Sequence, residues 1–287
     1  MVRPESDSLL KSVREPTVRE LVKRHGRVTR LTHWANVLAM LVLLTSGLQI
    51  FNAHPALYWG HASTFASPWL SMSKQEIGGE PRGVTTIGAV RLDTTGVLGW
   101  SGAPGAREQR GFPAWITLPS YRDLATGRQW HLFFAWVFVA NGLIYLAWSL
   151  ISGHLRRDLW PTRDQLRPSH ILHEFVTHAR FRFPKGDAAR RYNILQKLAY
   201  LVVILVLLPL MLATGLSMSP GFNAAAPWLV DLLGGRQSAR SLHFISALLI
   251  VGFVAVHLIM VLATGPWNQI RGMITGRFAI DTGKDAA

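Results

Sequence analysis

The sequence predicts an all-α integral membrane protein, a four-helix bundle with a long periplasmic loop between helices 1 and 2. Three observations predict it. Of 287 residues, 49% are hydrophobic and only 16% charged, and the apolar ones gather in four runs, roughly 33 to 52, 131 to 151, 198 to 218 and 241 to 264. Each run is close to the ~20 residues that a helix needs to cross ~30 Å of hydrocarbon. The net charge of +14 is also unevenly placed: segments 1–32, 152–196 and 265–287 hold twenty Lys and Arg in 100 residues, whereas 53–130 plus 219–240 hold nine in the same length. The positive-inside rule then places both termini in the cytoplasm and 53–130 in the periplasm, with the long loop weighted lightly because long loops cross regardless of charge. Thirdly, the four runs contain no Asp or Glu.

The expected organisation is a cytoplasmic tail over 1–32, a transmembrane domain over 33–264 and a second cytoplasmic tail over 265–287. Connectors of about 53–130 outside and 152–196 inside interrupt the middle part, in a bacterial inner membrane. Strongly basic chains often bind nucleic acid, but here the cations flank apolar runs and assign themselves to the membrane, so no nucleic-acid partner is expected. The first run begins only at residue 33, behind a charged tail and without a small-residue cleavage site after it, so no removable signal peptide is expected. The cysteine count is zero, which excludes a C-x-x-C-H haem attachment and thiolate-bound iron–sulfur clusters within this chain.

The first run ends in "LLTSGLQIF" and the third in "MLATGLSMSP". The shared Ser/Thr-Gly-Leu has two readings: small residues that admit a bulky group between helices, or ordinary close helix packing. In the first loop, "GVTTIGAVRLDTTGVLGW" mixes β-branched residues with turn chemistry and predicts a short hairpin. The aromatic stretch "GFPAWITLPSYRDLATGRQWH" is expected along the membrane surface, and Trp34, Trp130, Trp228 and Trp267 near span ends form an aromatic belt. In the inner connector, His170, His173 and His178 match no metal-ligand spacing and read as an interfacial helix near anionic lipid. His25, His54, His61 and His154 lie in or beside polar segments and read the same way. Lys197, at the mouth of the third run, is expected to snorkel.

His33, His131, His243 and His257 remain, at membrane depth, where an unpaired polar side chain is costly and functional by default. With the N-terminus inside, His33 begins the first span on the inner side and His131 begins the second on the outer side. His243 begins the fourth near the outer face, and His257 lies fourteen residues deeper. Fourteen residues advance ~21 Å at ~1.5 Å each and return to within ~40° of the starting direction. Two pairs result, His131 with His243 outside and His33 with His257 inside. Each offers two axial imidazoles to a flat macrocycle held in a bundle, so the spacing predicts two b-type haems. Zinc would gather its ligands at one depth, and a proton relay would need carboxylates. Gly47, fourteen residues after His33, and Gly215 would leave room at the outer haem. Arg24, Arg27, Arg30, Arg128 and Arg240 have two candidate partners, haem propionates or lipid headgroups.

"RVTRLTHWANVLAMLVLLTSGLQIF", "RQWHLFFAWVFVANGLIYL", "RRYNILQKLAYLVVILVLLPLMLATGL" and "LHFISALLIVGFVAVHL" resemble, in order, the four helices of the prokaryotic cytochrome b561 and nickel-hydrogenase b-type cytochrome family. That family includes the membrane subunits of respiratory formate dehydrogenases and hydrogenases. The likeness covers the spans and not the outer loop. It implies the same haem ligand pairs, and a quinone site beside the inner haem at Asn193 and His257, with Gln196 and Lys197 as further candidates. Leu195 replaces the family's Gly in Tyr-Asn-x-Gly-Gln-Lys. From the residues alone, Asn193 reads equally as the N-cap of the third helix. The outer loop resembles b-type cytochromes that accompany periplasmic molybdopterin oxidoreductases. The function implied is an electron-transfer subunit between a periplasmic redox partner and membrane quinone. The alternative is a stand-alone cytochrome exchanging electrons between quinone and a small periplasmic species such as superoxide.

Overall fold

A computed structural model describes residues 19–180 and 192–281. Residues 1–18 of the N-terminal tail, 181–191 of the inner connector, including Arg190 and Arg191 of "RRYNILQK", and 282–287 lie outside the described residues. The chain is mostly helical. Four helices are long and apolar enough to cross a membrane: α1 (Arg27–Phe51), α2 (Leu124–Ile151), α4 (Ile194–Met218) and α7 (Arg236–Ala263). Shorter helices are α3 (Pro168–Ala179), α5 (Pro220–Ala225), α6 (Trp228–Leu232) and α8 (Pro266–Thr275).

Every long helix starts several residues before its apolar run, because hydropathy marks hydrocarbon while the first turn lies among polar groups. Asp123 shows how such a start is made. Its carboxylate accepts from the Thr126 backbone N–H at 3.0 Å and from the Thr126 hydroxyl at 2.7 Å, capping α2. Those two bonds hold its pKa below the usual carboxylate value. The spans are inside out by soluble standards. Leu38, Leu41, Phe133, Leu143, Leu249 and Val256 are exposed, while Ser46, Ser149, Thr214 and Ser246 are buried. Lipid accepts the large apolar side chains, and small residues let helices approach. In α4 the segment Val203–Leu207 is a π-turn just ahead of Pro209. Proline has no N–H to give the preceding turn and crowds its carbonyl, and the widened turn absorbs both.

The chain divides into two compact units. The first draws on residues 19–30, 154–180, 192–198 and 258–281, so both tails and the connector after α2 meet in it. Within it, β1 (Arg19–Lys23) pairs antiparallel with β8 (Arg277–Asp281), Val22 opposite Phe278. Gly276 ends α8 at φ +81°, where a Cβ would sit 2.9 Å from the His25 carbonyl oxygen, and its own carbonyl accepts from Arg24 N–H at 2.9 Å. The Asn268 amide donates to Ala279 O and accepts from Ala279 N, both at 2.9 Å, and so stands in for a third strand.

The second unit holds 31–153 and 199–257. Here the expectation of an all-α chain is corrected. The long connector between α1 and α2 is a β structure. Strands β2 (Ala56–Leu57), β3 (Leu70–Ile77), β4 (Glu80–Ile87) and β5 (Val90–Asp93) form an antiparallel sheet in that order, and β6 (Gly99–Ser101) pairs with β7 (Glu108–Arg110). The hairpin expected from "GVTTIGAVRLD" is β4–β5. The one before it turns through Gly78 and Gly79, whose φ of +65° and +81° suit a two-residue turn that follows the strand twist.

This β unit is tied to two span ends. Asn52 at the end of α1 accepts from Phe112 N at 2.6 Å and donates to Phe112 O at 3.1 Å. At the start of α7, Gln237 N and Ser238 N both donate to Gly60 O. The Trp69 indole donates to Ser241 at 2.8 Å, which itself donates to Tyr58 O at 2.6 Å. Phe51, Leu57, Leu70 and Met72 form the core beneath, with Phe112 and Phe244 packed on it. Arg110, 1% exposed, lies at the centre of the polar contacts. It donates to Gln49 Oε1 of α1 (3.0 Å), Thr117 Oγ1 (3.0 Å), Ser120 O (2.7 Å) and Glu108 (3.2 Å).

Candidate functional site: two facing pairs of histidines

All four histidines at membrane depth belong to the second unit. His131 of α2 faces His243 of α7, with ring centroids 6.3 Å apart and planes at 62°. His33 of α1 faces His257 of α7, also at 6.3 Å, with planes at 55°. Two metal–nitrogen bonds of about 2 Å, plus the offset from each nitrogen to its ring centre, add up to roughly this separation. The rings are thus spaced to grip one metal ion from opposite sides. Among the described residues no three His, Asp or Glu gather as a metal site, so neither pair is part of a larger ligand cluster.

The pair near the β connector has a polar setting. His131 Nδ1 lies 3.1 Å from Leu43 O and 3.1 Å from Ser46 Oγ, and His243 Nδ1 lies 2.9 Å from Thr214 Oγ1. A carbonyl only accepts, so the His131 proton sits on Nδ1 and Nε2 keeps a free lone pair. Gly47 and Gly215 lie against these rings. A Cβ at Gly47 would stand 3.3 Å from His131 Cε1, and one at Gly215 3.5 Å from His243 Cε1. What these glycines admit is the edge of an imidazole. The other pair has an aromatic setting: Trp34 lies 5.4 Å from His33, and Phe253 stacks on His257 at 6.3 Å and 18°. His33 Nδ1 is buried without a hydrogen-bond partner among the described residues.

The family description of prokaryotic cytochrome b561 matches residues 24–276. The chain belongs to this family. Its members are membrane proteins that bind b-type haem, and two imidazoles spaced to take one iron between them fit that group. This b561-family chain is also 28% identical over 243 residues, 85% of its length and 92% of the relative's, to an Azospira oryzae protein named a putative protein-methionine-sulfoxide reductase subunit, YedZ1. No solved structure gives a significant match.

The residues proposed for quinone are engaged with protein. Asn193 Oδ1 accepts from Gln196 N at 2.8 Å and Gln196 Oε1 accepts from Asn193 N at 3.4 Å, a reciprocal cap on α4. Asn193 Nδ2 donates to His178 Nε2 at 2.6 Å, and His178 Nδ1 donates to Glu174 O at 2.9 Å. Lys197 is buried instead of snorkelling. Its ammonium donates to Gln165 Oε1 at 3.2 Å and Trp160 O at 3.3 Å, which replace the water that a solvent-facing amine would need.

The other polar candidates sort by their contacts. Arg240 is spent on the carbonyls of His54 and Ala56, so it ties down the β connector. Arg24 lies over the Phe278 ring and Arg30 donates to Ile274 O. His54 stacks on Tyr58, and burial with Arg240 nearby lowers its pKa. His154 pairs with Asp158 at 2.6 Å. Sequence reasoning did not single out Ser46 and Thr214. The repeated Ser/Thr-Gly-Leu contained both, but only the small size of its residues was read from it.

Proposed function

We propose that this chain is a dihaem b-type cytochrome that carries electrons between a periplasmic oxidoreductase and membrane quinone. His131 with His243 would hold one haem and His33 with His257 the other. The observation that carries the reading is the repetition of one geometry: two imidazole pairs, each 6.3 Å apart, whose α7 members are fourteen residues apart on a single helix. That offset is ~21 Å along the axis, most of the hydrocarbon thickness. Held between such a pair of imidazoles, a haem would supply one-electron oxidation and reduction at its iron. The chain's own part is to hold four rings at two depths in a low-dielectric bundle and to keep their ligating nitrogens bare.

The basic tails and inner connector support cytoplasmic termini, and the less basic first loop a periplasmic position for residues 53–130. The named relative is a reductase subunit, which favours a protein partner over a stand-alone cytochrome. The loop's resemblance points to a molybdopterin enzyme as that partner, and the relative's name to a reductase of sulfoxides. Affinity purification of the tagged chain from its native membrane is expected to bring down a soluble oxidoreductase with about one molybdenum per partner. A haem-loaded chain that comes down alone removes the partner from the proposal.

Quinone is proposed at the start of α4, around Asn193, on the strength of the family motif. Asn193→Ser keeps a capping oxygen and deletes the amide nitrogen. It is expected to slow haem oxidation by a soluble quinone analogue about tenfold or more, the loss of a hydrogen bond to a polar substrate group being worth ~1.5 kcal/mol or above. Unchanged rates with both haems present would move the quinone site elsewhere.

A further inference from the structure

The connector-side pair is cradled twice by the same device, and the other pair lacks it. Ser46 and Gly47 of α1 lie against His131; Thr214 and Gly215 of α4 lie against His243. In both cradles the hydroxyl proton is already committed to the backbone one turn earlier. Ser46 donates to Val42 O at 2.5 Å and Thr214 to Leu210 O at 2.7 Å. A hydroxyl has one proton and two lone pairs, so toward the imidazole each of these oxygens can only accept. Both rings are therefore held as Nδ1–H donors, with Nε2 left as the bare ligating nitrogen, and the adjacent glycine lets the ring come close enough to bond. At the other pair, His33 Nδ1 is buried with no hydrogen-bond partner among the described residues, and Trp34 and Phe253 are the ring neighbours.

We propose that Ser46 and Thr214 are positioning residues that set the electronic character of the connector-side haem, making it the lower-potential centre of the two. An imidazole whose Nδ1–H is held by an acceptor is the more basic ligand, and a more basic ligand favours the oxidised iron. At the connector side both imidazoles are held this way; at the other pair His33 is not, among the described residues. The bundle thus builds a difference between two sites that share one ligand set. This inference rests on the dihaem reading above.

The test is a potentiometric titration of the haem-loaded protein in membranes, following the haem absorption and the low-spin electron paramagnetic resonance signals. Wild type is compared with Ser46→Ala, Thr214→Val and the double variant. Haem content of the wild type is measured first. A value of one or none there would remove the dihaem reading itself, separately from this proposal. With both haems present, the lower-potential component is expected to shift upward in each single variant and further in the double, with the higher-potential component unmoved. Ser46→Thr and Thr214→Ser, which keep the hydroxyl, are expected to titrate as wild type. Selective loss of the lower-potential haem in the double variant, restored by the hydroxyl-keeping variants, shows the same dependence. Potentials unchanged in the double variant, or a shift confined to the higher-potential component, would overturn the assignment.

Discussion

Leucine at His131 or His243 is expected to remove one haem and leave the other, so that the haem content of the purified chain falls from about two to about one. Leucine at His33 or His257 should remove the other haem in its turn. The expectation follows from how the pairs are shared. α7 contributes to both, but its two histidines are fourteen residues apart, and their partners come from different helices. Losing one ring leaves an iron with a single protein ligand and a void on one face, while the second pair keeps both of its rings. The effect is large because the lost interaction is a coordinate bond. Pyridine haemochrome analysis counts the haems. The two variants of a pair should show the same surviving spectrum, and the two pairs different ones. Retention of both haems in any one of the four variants would break the pairing at that residue.

Arg110→Ala is expected to open the β connector. Its guanidinium is 1% exposed and reaches four acceptors, of which Gln49 Oε1, Thr117 Oγ1 and Ser120 O accept from no other side chain among the described residues. Stranding buried acceptors costs ~1–3 kcal/mol each, so a total of ~3 kcal/mol or more is expected. That corresponds to a rise of about a hundredfold or more in cleavage of the 53–123 segment by a protease acting on its opened form. Arg110→Lys should fall between, because an ammonium cannot fork across four acceptors. Both variants should keep the four helices, whose lipid-facing surface does not depend on the connector. Cleavage at the wild-type rate in Arg110→Ala would mean that the aromatic core around Phe51 and Phe112 holds the connector unaided.

The four spans were legible because apolar run length is a direct physical requirement of a bilayer. The histidine pairs were legible because depth follows from counting along helices of known rise. The connector was not. Most of its strands are short, and β3 reads "LSMSKQEI", with five polar residues to three apolar ones, so no alternating period stands out. Only the run "GVTTIGAVRLDTTGVLGW" signalled a hairpin in advance. The hydroxyl cradles were half legible. "TSGL" and "ATGL" could be seen to match, but that Ser46 meets His131 depends on the rotation of α1 against α2, which no single helix encodes. Lys197 failed for a related reason. Position along a span predicts a snorkelling amine, but not that Gln165, thirty-two residues earlier in the chain, will take it up.

The pairing of β1 with β8 has a consequence for biogenesis. β1 precedes the first span and β8 follows the fourth. On the ribosome, β1 emerges early and must wait with an unpaired edge while all four helices are inserted. Its complement is made only after the fourth span. The two-stranded ribbon is therefore a latch that closes only after the fourth span has been made, and a product truncated before Arg277 leaves that edge open to strand-adding chaperones and proteases.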